Sequence, residues 1–137
     1  MSIRYLELIQ TVPLDPADAF EALTDPELMG RHLGADIEII AGPSRTNVGT
    51  VRRIRAGGLS IDEEITSCDR PNRVVYRIIR GLPVKYHMAE MLFEEVSEGT
   101  HITWSVGMEA RKPLSTRVLL MVLKRNLGTG LRRLGRA

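Results

Sequence analysis

Two hydrophobic periodicities alternate along this chain, and their order predicts its architecture. Residues 3–12 carry β-branched and aromatic side chains in partial alternation and stop at Pro13, which predicts a first strand. Asp15-Pro16 reads as an N-cap followed by the first helical residue, and Ala19, Phe20 and Leu23 then share one face of a short helix ending near Asp25. Asp25-Pro26 repeats the signal for a second short helix over residues 27–32, released by Gly34. Turn residues at Gly42-Pro43, Gly57-Gly58, 69–72, 81–83 and 97–99 then separate six predicted strands at 36–41, 49–56, 59–68, 73–80, 84–96 and 100–110. Their short loops favour an antiparallel meander. Pro113 opens the one long helix, in which Leu119, Leu120, Leu123, Leu127, Leu131 and Leu134 fall within about a third of the circumference.

A seven-stranded antiparallel sheet with one apolar face must cover that face, and the last helix is the only long amphipathic element available. The order of elements therefore predicts an α+β domain whose sheet curves around the C-terminal helix. At 137 residues, with 43% hydrophobic and 26% charged side chains, the chain fits a single globular domain over residues 1–137 with a real core. Its longest apolar run, 118–123, is far short of the ~20 residues that cross a bilayer. The opening MSIRYLELIQ lacks a signal peptide's apolar centre, so the expected compartment is the cytoplasm, and the single cysteine, Cys68, fits a reducing one.

A net charge of +2 conceals an uneven distribution. Eight basic residues, from Arg111 to Arg136, follow Glu109 with no acid among them, leaving 11 basic against 17 acidic residues up to that point. This is either a solvated helix face attracted to an acidic sheet or a contact for an anionic membrane surface; nucleic acid ranks last, since few of these arginines could touch phosphate at once. Val118, Met121 and Val122 lie off the leucine stripe, so the first half of the long helix is apolar nearly all round. It needs a second cover: the two short helices, a ligand, a second copy of the chain in a homodimer, or a membrane. Gly128 and Gly130 each weaken a helix by ~1 kcal/mol relative to alanine, which predicts fraying or a bend there that could serve as a portal.

Several stretches carry a family resemblance. They are Val12-Pro13-Leu14-Asp15-Pro16-Ala17-Asp18-Ala19-Phe20, Leu23-Thr24-Asp25-Pro26-Glu27, Val48-Gly49-Thr50, Glu64-Ile65-Thr66, 69–76 (DRPNRVVY) and 98–104 (EGTHITW). In these the chain resembles the START-related helix-grip superfamily, in particular its polyketide cyclase and dehydrase-like branch, over essentially its whole length. The resemblance implies a cavity between curved sheet and long helix that holds a hydrophobic or amphipathic small molecule. Members include binders, carriers, hormone receptors and a minority of enzymes, so the fold does not decide the function.

Candidate chemistry has to come from the residues themselves. His32, His87 and His101 have no metal-ligand spacing, and the GxGxxG, P-loop and GxSxG patterns are absent, so no cofactor or metal is expected. Cys68, beside Asp69, reads as a packing residue. Strand alternation singles out Glu63, which shares a face with Leu59, Ile61 and Ile65. A carboxylate there is either a cavity acid or base with a raised pKa, or the partner of a nearby arginine such as Arg53. His87, grouped with Ala89, Met91 and Phe93, either enters the cavity near its mouth or sits at the rim. Trp104 points inward with Ile102, Val106 and Met108, and Tyr76 and Arg53 could reach the same space.

These readings converge on a protein that binds or carries a small hydrophobic molecule among Ile61, Met91, Phe93, Trp104, Leu119, Leu123 and Arg53. An enzyme built on this chain would run a metal-free cyclisation, dehydration or isomerisation, with Glu63 abstracting a proton and His87 or Tyr76 polarising or protonating the carbonyl. The alternative is a lipid or quinone chaperone, or an interaction module, docked through the basic C-terminal helix.

Overall fold

The computed structural model describes residues 3–112 and 115–136. β1 (Arg4–Val12) leads into α1 (Pro16–Thr24) and α2 (Pro26–Leu33). β2 (Asp36–Ala41), β3 (Val51–Ala56), β4 (Leu59–Asp69), β5 (Arg73–Arg80), β6 (Val84–Val96) and β7 (Gly99–Ala110) follow, and then α3 (Ser115–Gly135). The helix start expected at Pro113 lies outside the described residues. The seven strands form one antiparallel sheet in the order β1-β7-β6-β5-β4-β3-β2, so β2 to β7 make the meander and β1 adds beside β7. This is the α+β helix-grip arrangement.

Two aspartates set the helix pair. The Asp15 carboxylate accepts the Asp18 N–H at 2.9 Å to start α1; Asp25 then ends α1 through its own N–H to the Glu21 carbonyl and starts α2 by accepting the Leu28 N–H at 3.1 Å. Gly34, at φ 68°, ends α2 in the left-handed conformation a glycine adopts without strain. The pair packs on one end of the concave sheet face, with the Phe20 ring 5.2 Å from Phe93.

The C-terminal half of α3 closes the core. Leu131 and Leu134 are buried, whereas Leu119, Leu120, Leu123 and Leu127 are only half-buried. The first half therefore stands further off the sheet, and a cavity opens beneath it. The expected fraying at Gly128 and Gly130 does not occur: α3 runs unbroken through both. A Cβ on Gly130 would overlap the Leu33 side chain, so this glycine lets α3 approach α2, and that packing offsets the weak local propensity. Nor do α1 and α2 cover the outer side of α3, where Val118, Met121 and Val122 are 54%, 65% and 50% exposed.

Candidate functional site

Register across β3, β4 and β5 builds the polar end of the cavity. Arg52 lies opposite Glu63, Ile54 opposite Ile61, and Glu63 in turn opposite Ile78. Above them a cavity of about 510 Å³ opens between the sheet, α2 and α3, within the roughly 300–1,000 Å³ usual for small-molecule sites. Its walls are mainly aliphatic, with Trp104 on the floor and Leu123 and Leu127 on the α3 side; the ionisable groups lining it are Glu63, Tyr76 and His87.

Glu63 is the open end of a buried ion pair. Its Oε1 accepts from Arg52 Nη2 at 2.8 Å, and the Arg52 side chain is fully buried. Arg52 Nη1 points at the Met29 sulfur, 3.3 Å away, its guanidinium stacks 5.4 Å from the Tyr76 ring centroid, and its Nε finds no protein partner. Burial pushes the Glu63 carboxyl above the usual carboxylate range, while the charge and hydrogen bond of Arg52 pull the other way. Arginine does not release its proton, so the carboxylate serves as its counter-charge.

Tyr76 and His87 are held as neutral donors. The Tyr76 hydroxyl accepts the Trp104 indole N–H at 3.1 Å, so its own hydrogen is free for a bound molecule. Burial, with the nearby Glu63 charge, keeps the phenol well above its ordinary pKa. The β5–β6 ladder ends at Tyr76 opposite Ala89, and the next inward amide, the Ile78 N–H, donates instead to His87 Nδ1 at 3.0 Å. Nδ1 must then be unprotonated, which places the proton on Nε2. Burial lowers the His87 pKa to about 4, and its ring sits 5.9 Å from that of Tyr76. Two neutral donors beside a carboxylate can hold a carbonyl or hydroxyl oxygen and accept a proton next to it.

Of the residues singled out in the sequence, Glu63, Tyr76, His87, Ile61, Trp104 and Leu123 line this one cavity. Met91, Phe93 and Leu119 do not: Met91 and Phe93 are buried elsewhere in the core, Phe93 beneath Phe20, and Leu119 is half-buried away from the cavity wall. Arg53 is a correction on both counts. It projects from the opposite face of β3 and binds Asp62 through Nε and Nη2 at 2.9 and 3.1 Å, so it neither reaches the cavity nor pairs with Glu63. With Arg80 on its other side, Asp62 is held well below the usual carboxylate range. The true partner, Arg52, shares its face of β3 with Ile54, and that one apolar residue was too weak a signal to single it out. Met29 and Leu33 on α2 carried no comparable signal. Cys68 is half-buried, and burial pushes its thiol up. Among the described residues, no three His, Cys, Asp or Glu side chains gather as a metal site.

Residues 6–137 match the family model for polyketide cyclase/dehydrase and lipid transport. The chain belongs to that family. No curated protein matches its sequence. Among solved structures the fold is similar to protein MLL2253 from Mesorhizobium loti, at TM-score 0.78 and 17% identity over 97% of this chain and 95% of that one. It is also similar to Ara h 8.0201, at 0.74 and 23% over 94% and 93%. A third is the major latex-like protein 151 of Panax ginseng, at 0.66 and 18% over 94% and 97%. At such identities these likenesses establish the fold.

Proposed function

We propose that this protein binds or carries a small, uncharged, largely apolar molecule whose oxygen-bearing end meets Glu63, Tyr76 and His87. The observation that carries this reading is the pairing of two neutral donors, each with its hydrogen placed by a neighbour, with one carboxylate on an otherwise apolar cavity wall. The aliphatic walls favour an apolar body. An anionic head would face Glu63, whose neutralising arginine is turned away beneath it. Membership of a family described by polyketide cyclisation and lipid transport supports a hydrophobic ligand.

The same three groups suit the metal-free isomerisation, dehydration or cyclisation foreseen from the sequence, with one refinement. His87 already carries its proton on Nε2, so its part is to hold a carbonyl oxygen beside Tyr76, and Glu63 is the proton acceptor.

Trp104 is the chain's single tryptophan and lies on the cavity floor, so its emission reports occupancy. We expect 2-acetylnaphthalene to change that emission saturably. Tyr76→Phe and His87→Gln should each weaken the ketone by about tenfold and leave 2-ethylnaphthalene unaffected. Native mass spectrometry of protein from its own host should find an extractable hydrophobic molecule. Absence of both a retained molecule and any saturable response to either probe would overturn the reading.

A further inference from the structure

Beyond the cavity, the outer side of α3 has a composition that the core does not explain. At 100° per residue, Val118, Met121, Val122 and Arg125 occupy the side opposite the leucine stripe, with Arg117 and Lys124 along its flank. All six are exposed, Met121 most of the apolar ones at 65%. Alongside, Ile3, Arg4 and Tyr5 at the start of β1 form a shallow groove of about 530 Å³ with Leu120 and Met121, edged by Arg117 and Lys124; Tyr5 is 76% exposed. Among the described residues none of the basic side chains of α3 makes an ion pair, although most arginines of the sheet do. These cations thus face solvent and make no short-range contact with the acids of the sheet.

We propose that this face, the outer side of α3 with the adjoining start of β1, docks the protein flat on an anionic lipid bilayer. Three features select that occupant. The apolar side chains protrude between cations, the pattern of a helix lying in a membrane interface with its bases among the phosphates. The cations continue past the apolar patch to Arg132 on the same side of the helix and to Arg136 just beyond its end, so the matching negative charge must extend over roughly 30 Å. A lipid surface offers such continuous charge, and no acid follows Glu109 to oppose it. Arg4, Arg117 and Lys124 around the groove suit one lipid phosphate. Docking in this pose would also set Val122, which lines the cavity and is half-exposed, against the bilayer. The docking itself does not require the cavity to be occupied.

The test is sedimentation of the full chain with vesicles of phosphatidylcholine containing 30% phosphatidylglycerol, and with phosphatidylcholine alone, about 30% being a workable anionic fraction. Binding should need the anionic lipid and fall steeply with added salt. Arg117→Glu/Lys124→Glu should weaken partitioning at least about thirtyfold, or about fivefold per lost cation. Met121→Glu should weaken it as well, and thermal melts of both variants should match the parent, since these side chains are exposed. No binding at low salt overturns the proposal, as does binding that both variants leave unchanged. A stable dimer in solution that Met121→Glu dissolves also overturns it, by making this face an interface between copies.

Discussion

Single positions decide how the cavity is charged. Arg52 and Glu63 are buried as a pair, so removing one member costs more than removing both. Arg52→Met should lower stability by about 3–5 kcal/mol at neutral pH, whereas Arg52→Met/Glu63→Leu should recover most of it, read from urea unfolding midpoints. The loss in Arg52→Met should shrink in acid, because Glu63 without its counter-charge escapes by taking a proton. His87 gives a second pH dependence with a definite sign. Its pKa is about 4 in the fold against 6.5 as the ordinary value, so between these pH values the unfolded chain binds the extra proton. The contribution is complete above pH 6.5 and lost as pH falls to about 4, by at most about 3 kcal/mol. His87→Gln should flatten the stability profile in that window, measured by chemical denaturation from pH 4 to 7. Alternation in the sequence was enough to point Glu63 and Trp104 inward. It could not supply the Ile78 amide that fixes the His87 tautomer, because that contact depends on where two strands part company.

Elements show where local preference yields to packing. The Asp-Pro signals before α1 and α2 act within one turn: α1 begins at Pro16 as the sequence puts it, and α2 begins at Pro26, one residue before the expected start. Gly128 and Gly130 are the opposite case. Both look like helix weaknesses, yet they have different surroundings. At Gly128 a Cβ would meet only the mobile end of Arg132 at 3.2 Å, so Gly128→Ala should gain about 0.5–1 kcal/mol from helix propensity. At Gly130 the same methyl overlaps the end of the Leu33 side chain, which must swing aside, so Gly130→Ala should gain less than Gly128→Ala. A higher melting temperature for Gly128→Ala than for Gly130→Ala would confirm the distinction. In β3 the sequence VRRIRA places arginines on both faces, and a single isoleucine was too thin a signal to say which arginine turns inward until β4 set the register.

For the whole molecule, the sheet, the helix pair and the closing helix follow from periodicity and turn chemistry, which are local and written residue by residue. So the sequence by itself determined the element order, the antiparallel meander and the leucine stripe that α3 presents to the sheet. Tertiary structure decided the rest. The tilt that seats Leu131 and Leu134 while leaving Leu119 to Leu127 half-buried creates the cavity, and it reflects how closely α3 can approach α2 at Gly130. That same geometry leaves Met91 and Phe93 in solid core and brings Met29 and Leu33 to the cavity wall, although Met91 and Met29 look alike as apolar residues in sequence. It also determines that no short helix covers Val118, Met121 and Val122. The physical reason is one of range: side-chain alternation and helix caps are fixed by neighbours a few residues away, whereas cavity walls, ion-pair partners and exposed faces depend on how distant segments come to rest against one another.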